Sequence, residues 1–297
     1  RRATYSGALR RAAAQDPVAL PCVGDWVAIR GEIHKVLPRR TAIVRAGVTP
    51  GASHGQVLAA NVDVVYLAEP AVPEIDLGRI ERLLALAWES GAQPVVLITK
   101  ADLAAVDLSE VEAAAPGVTV CAVSSLTGDG LEAVRLRPGQ TAVLLGRSGA
   151  GKSTLVNALA GAELMTTQEI RSADGRGRHT TVHRELLPLP GGGLIIDTPG
   201  LRSIGLHAEE GLAQVFADLE DLASHCRFHD CAHQAEPDCA VLAAVEEGVL
   251  PERRLDSWRK LQREAEWMAS RTDARLRAEK ARQWKIIHKS MRGRGRP

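Results

Sequence analysis

The chain lacks any apolar run long enough to cross a bilayer as a helix, and no signal peptide opens it. Those two absences lead to the expectation of a cytoplasmic protein without membrane partners. Methionine is missing from position 1, where Arg1 stands, so a clipped native N-terminus is expected. There is no internal repeat, and low complexity is confined to the tail Arg292-Gly-Arg-Gly-Arg296. Cysteine is sparse: Cys22, Cys121, Cys226, Cys231 and Cys239. Without an export signal, so few thiols point to a reducing compartment and to metal binding or free thiols.

Net charge is nearly absent too, +1 at pH 7, but it is unevenly spread over the 297 residues. Residues 1–58 hold nine Lys/Arg against three Asp/Glu, and residues 59–216 hold twelve against nineteen. From Arg271 onward the count is ten against two. Basic ends around an acidic middle suit nucleic-acid contacts at both ends; solvated charged surfaces would give the same pattern. A hydrophobic content of 45% with 25% charged residues describes a globular chain of two or three domains.

What is present is organised around Gly146-Arg147-Ser148-Gly149-Ala150-Gly151-Lys152-Ser153-Thr154. Gly146, Gly151, Lys152 and Ser153 fit the phosphate-binding P-loop pattern. Small residues let backbone N–H groups turn inward around a phosphate, and a following helix N-terminus adds partial positive charge. Lys152 would reach the β/γ oxygens and the Ser153 hydroxyl would ligate Mg²⁺. The context agrees: Thr141–Leu145 predicts a buried strand, and Lys152–Ala160, closed by Gly161, predicts a helix. The bland alternative is an ordinary glycine-rich strand–helix turn.

Other nucleotide-binding pieces surround it. Thr99-Lys100-Ala-Asp102 follows a predicted strand, where Asp102 could accept from guanine N1–H and the exocyclic amine while Lys100 covers the base. Ser124-Ser125 could present a backbone N–H to guanine O6. Asp197-Thr-Pro-Gly200 has the form of a switch element, with Asp197 towards Mg²⁺ and the Gly200 N–H towards the γ-phosphate. Thr180 or Thr181, in the polar stretch before it, could close over the metal. Together these imply a GTPase that binds GTP and GDP. Their order is unusual, since the base-reading motifs precede the P-loop; that is a circular permutation.

Residues 1–58 alternate short β-like runs with turns and predict a small β-barrel, an OB-fold, although an SH3-like barrel has the same periodicity. Residues 59–216 alternate strands and helices, which predicts a mostly parallel sheet covered on both faces, with a third helix just before the P-loop strand. Residues 217–297 read as mostly helical, with Trp258, Leu261, Trp267 and Leu276 expected to pack along a helix from Arg253 to Lys289. Cys226, Cys231, His233 and Cys239 form a Cys₃His set suited to one structural zinc, with His225 and His229 as competitors for the imidazole place.

On these motifs, with Leu37-Pro-Arg-Arg40, Ala60-Asn-Val-Asp63 and Gly177-Arg-His-Thr-Thr181 beside them, the chain resembles the circularly permuted, ribosome small-subunit-dependent GTPase A family of bacteria. The resemblance implies an N-terminal OB-fold, a permuted GTPase domain and a C-terminal zinc domain. It implies action in late 30S maturation, contact with 16S rRNA, GTP hydrolysis stimulated by the particle, and a monomer. Permuted GTPases of the large subunit, or an RNA-binding module with a vestigial P-loop, are the competing classes. Two departures stand out. Thr99 replaces the asparagine that braces the P-loop in most GTPases, from which modest nucleotide affinity is expected. Leu201 stands where many GTPases place a water-orienting glutamine, so His179 is carried over as the catalytic group. An exposed loop histidine is the alternative there.

Overall fold

The computed structural model of the chain describes residues 3–45, 55–165, 185–197 and 209–272. Its first helix, α1 (Gly7–Gln15), starts where the Ser6 hydroxyl accepts the Leu9 N–H, a side-chain N-cap. Two antiparallel pairs come next, β1 (Val27–Arg30) with β2 (Glu32–Val36), and β3 (Ala42–Arg45) with β4 (Gln56–Ala60). The loops between them are held by Arg39, which forks onto the Asp25 carboxylate at 2.7 Å and donates to the carbonyls of Val18 and Leu20. Asn61, just beyond β4, fastens two of these loops together: its side chain accepts the Arg40 N–H and donates to the Gly24 carbonyl. Gly24 must be glycine, because a Cβ there would overlap the Ala60 carbonyl.

The central unit runs β5 (Val64–Pro70), α2 (Leu77–Glu89), β6 (Gln93–Thr99), α3 (Ser109–Ala114), β7 (Thr119–Val123), β8 (Thr141–Leu145), α4 (Lys152–Ala160), β9 (Glu185–Pro188) and β10 (Leu194–Asp197). Its sheet has the order β7-β6-β5-β8-β10-β9, parallel except for the β9–β10 pair at one edge. Alternate residues of each strand enter two separate cores. Val65, Leu67, Val143, Leu145 and Ile196 face one side, with α2 and residues from the chain's C-terminal third. Val64, Tyr66, Ala68, Ala142, Leu144 and Ile195 face the other, with Leu155 and Val156 of α4. Both faces are covered, and this is why the strands are apolar throughout rather than alternating.

After this unit come α5 (Glu209–Val215), α6 (Ala217–Ala223), α7 (Ala240–Glu246) and α8 (Glu252–Thr272). Arg254 of α8 is 2% exposed and uses all five of its N–H donors. They go to Glu81 on α2, the Ala114 carbonyl on α3, the Val215 carbonyl on α5, and both carboxylate oxygens of Asp218 on α6. Its guanidinium also lies 4.9 Å from the centre of the Phe216 ring. One arginine thus joins five helices and docks α8 on the sheet's helical layer.

Two expectations need correction, and a third is only partly covered. The predicted third helix before β8 is a short 3₁₀ turn, Leu131–Val134, because only four residues separate the αL residue Gly130 from the extended Arg135. Trp258 and Leu261 do pack, but Trp267 is 52% exposed. The described part of the last helix ends at Thr272, so Leu276 and the rest of the expected helix lie outside the described residues.

Candidate functional site

The P-loop lies between β8 and α4, the boundaries the sequence predicts. β8 is central, flanked by β5 and β10, so the loop opens at the C-terminal ends of parallel strands, where open α/β sheets bind ligands. Gly146 leaves the strand at φ +151°, and a Cβ on it would collide with the Ala68 carbonyl of neighbouring β5. Lys152 is buried. Its ammonium donates to the Gly146 carbonyl at 2.9 Å and the Arg147 carbonyl at 2.8 Å, so the loop holds its cation at its own centre. Ser148, Gly149 and Thr154 are exposed, Ala150 is buried and Ser153 is half-buried in the first turn of α4.

The base-reading candidates come to the same end of the sheet. Thr99 ends β6 and is 2% exposed; its hydroxyl donates to the Ala150 carbonyl at 2.8 Å. The expected loss of a P-loop brace is therefore corrected: threonine supplies a brace with its hydroxyl in place of an amide. Lys100 adopts the left-handed conformation (φ 58°), which brings its stem to the P-loop, 3.9 Å from where a Gly151 Cβ would stand. Asp102 lies in the next turn, and its carboxylate accepts the buried Ser124 hydroxyl at 2.6 Å. The Ser124 oxygen in turn accepts the N–H groups of Leu126 and Thr127, which sets the loop after β7. The backbone N–H of Ser124 donates to the Asp129 carbonyl, so of the two serines Ser125 is the one left to offer a main-chain donor to a base.

Asp197 closes β10, one residue beyond the Ile196–Val143 pair beside the P-loop strand. His179, Thr180, Thr181 and Gly200 lie outside the described residues, as does Leu201.

The second constellation is in the C-terminal third. Cys226, Cys231, His233 and Cys239 bring one ligand atom each within 4.8 Å of one another. The Cys226 sulfur is 3.8 Å from that of Cys239 and 3.6 Å from His233 Nδ1, which is 3.4 Å from the Cys239 sulfur. Of the competing histidines, His225 turns its Nδ1 to the Asp221 carbonyl and His229 is exposed on the loop. Burial raises the Cys226 thiol, but the Val241 and Ala240 N–H groups at the start of α7 outweigh it and bring the thiol below its usual value. Burial, with the sulfurs of Cys239 and Cys226 beside it, pushes Cys231 up to about 11. The donor set and its spacing fit a single metal ion.

Several residues at these sites carry no sequence motif. Glu236 and Arg259 hold the loop around His233, and Arg254 holds α8; a lone carboxylate or arginine in a polar stretch gives no signal until the fold names its partners.

A six-stranded sheet of this order, with the candidate base-reading loops after β6 and β7 and the P-loop after β8, defines a circularly permuted P-loop GTPase fold. The RsgA GTPase family profile matches residues 36–207. The "Small ribosomal subunit biogenesis GTPase RsgA" of Streptomyces avermitilis is 58% identical over 283 residues, covering 91% of this chain and 76% of that protein. Its namesake from Opitutus terrae is 47% identical, covering 94% and 82%. Among solved structures, YjeQ from Thermotoga maritima matches with 31% identity and a TM-score of 0.56 over 79% of this chain and 78% of that one. YloQ, described as a circularly permuted GTPase, matches with 30% identity and a TM-score of 0.55 over 83% and 81%. The chain belongs to the RsgA GTPase family, a family of GTP hydrolases.

Proposed function

We propose that this GTPase acts in the late maturation of the small ribosomal subunit, binding the 30S particle and its 16S rRNA and hydrolysing GTP to GDP and phosphate when bound there. The observation that carries the reading is the Thr99–Ala150 hydrogen bond, which makes base-reading and phosphate loops one unit although they stand in permuted order. The names of the relatives supply the small subunit. The basic segments at both ends of the sequence suit contacts with rRNA phosphates.

In this reading Asp102 accepts from the guanine edge, Ser124 holds Asp102 in place, and Ser125 offers its N–H to O6. Lys100 covers the base. Backbone N–H groups of Gly146–Thr154 receive the phosphates, with Lys152 on the β/γ oxygens and the Gly200 N–H on the γ-phosphate. Ser153, Asp197 and Thr180 or Thr181 hold magnesium, which when bound with GTP neutralises charge developing on the phosphate oxygens. His179 accepts from the attacking water, the task that Leu201 has no group to perform.

The Cys₃His set holds one structural zinc. Zinc–sulfur bonds of about 2.3 Å give tetrahedral edges of about 3.8 Å, the separation between Cys226 and Cys239. We further assign residues 1–58 to an OB-fold, 59–216 to the GTPase domain and 217–297 to the zinc-binding helical domain of a cytoplasmic monomer. The His179→Ala variant tests the catalytic part. It should bind GTP and 30S particles as the parent does while losing most of the stimulated rate. Undiminished stimulation would transfer the water-positioning role to the ribosome.

A further inference from the structure

The loop that delivers His233 is folded against its own backbone preference. His233 has φ 54°, the left-handed region that non-glycine residues enter at a cost, and yet it is 4% exposed and faces the thiols. Besides the His233 N–H on the Cys231 sulfur, three groups from outside the ligand set hold it there. The Glu236 carboxylate accepts three N–H groups of the loop, Ala232 at 3.1 Å on Oε1, and Gln234 at 2.7 Å and Ala235 at 3.0 Å on Oε2. The Arg259 guanidinium, from α8, donates to the carbonyl of His233 itself. The Trp258 ring closes the remaining side, tilted at 60° with its centre 5.6 Å from the imidazole. The residues before and after His233 are thus fixed by Glu236, and the His233 peptide by Arg259.

We infer that Glu236 is a positioning residue for the metal centre: its carboxylate locks loop 232–236 so that the His233 imidazole presents Nδ1 between the sulfurs of Cys226 and Cys239, with Arg259 as the second clamp. The inference rests on the proposed metal reading of those four residues. Without the carboxylate three N–H groups lose their common acceptor, and His233 can relax to a right-handed conformation that turns the imidazole away. Three thiolates would then hold the ion with an open fourth position. The same clamp links the metal loop to α8, and Arg254 of that helix links it to α2 and α6 beside the sheet.

The test uses the full chain loaded with cobalt, whose visible absorption reports its ligands, and with zinc, whose release is followed by a chelating dye. Glu236→Ala should release zinc about 10- to 100-fold faster than the parent, the usual effect of removing a group that orients a ligand. Its cobalt spectrum should shift towards that of His233→Ala. Glu236→Gln, which keeps one acceptor oxygen, should lie between them, and it carries the test if the alanine variant does not fold. A Glu236→Ala or Glu236→Gln protein with parental spectrum and release rate overturns the inference. So does a lowered unfolding midpoint with an unchanged spectrum, which would make Glu236 a structural residue only. A parent chain that takes up neither cobalt nor zinc would remove the metal reading itself.

Discussion

The hydroxyl of Thr99 donates to the backbone carbonyl of Ala150 across 2.8 Å, so the loop proposed to read the base is tied to the loop proposed to hold the phosphates. Thr99→Val keeps the shape of the side chain and leaves that carbonyl without its partner in a buried place. The expected cost is about 1–3 kcal/mol in stability, with weaker GDP binding by calorimetry. Thr99→Ser should restore both. A valine variant that matches the parent in denaturation and binding would show the brace to be dispensable.

Asp102 is oriented by the Ser124 hydroxyl at 2.6 Å, so the two substitutions should differ in kind. Asp102→Asn exchanges an acceptor for a donor and should move preference from guanine to xanthine nucleotides. Ser124→Ala should weaken all guanine nucleotides without changing that preference. Competition assays with GDP, XDP and ADP separate the outcomes. An Asp102→Asn protein that still selects GDP over XDP would place base recognition elsewhere.

Arg254 and Arg253 both donate to Glu81, which is 0% exposed, so truncating Arg254 leaves that carboxylate with Arg253 alone and takes the donors from Asp218 and from the Ala114 and Val215 carbonyls. Arg254→Ala should cost about 3–5 kcal/mol, the range for breaking a buried ion pair from one side. Arg254→Lys should recover little, because an ammonium cannot reach five acceptors on four helices. Denaturant unfolding measures both, and a near-neutral alanine variant would contradict the role given to this residue.

Much of the candidate nucleotide site is legible in the sequence. The helix of the P-loop, Lys152–Ala160, and its strand, Thr141–Leu145, have the bounds expected, because glycine punctuation and a continuous apolar run act locally. The Cys₃His set is legible for the same reason, as ligand spacing within fourteen residues is a short-range pattern. Long-range contacts are not. Thr99 reads as a missing amide because its replacement partner, Ala150, is fifty-one residues away. Trp267 reads as a packing residue because periodicity marks a helix face without saying how far along the neighbouring core extends. Arg254 and Glu236 carry no local signal, since nothing nearby in the sequence distinguishes an arginine with five acceptors in the fold from one in water.

Residues after Arg271 form the strongly basic end of the chain, with ten Lys/Arg and two Asp/Glu counted from Arg271 itself, a charge expected to meet rRNA phosphates. Affinity for 30S particles should fall with salt, each phosphate contact adding about −0.7 to −0.9 to the slope of log K against log salt. Removing the segment after Arg271 should flatten that slope. An unaltered slope would assign the contacts to other basic groups.

The most direct measurement is the rate of GTP hydrolysis by the full chain alone, with purified 30S particles and with purified 50S particles. Leu201 leaves the free protein without a glutamine to orient water, so the account predicts slow turnover alone, marked acceleration by 30S and none by 50S. Equal acceleration by both particles, acceleration by 50S alone, or no response to 30S would contradict it.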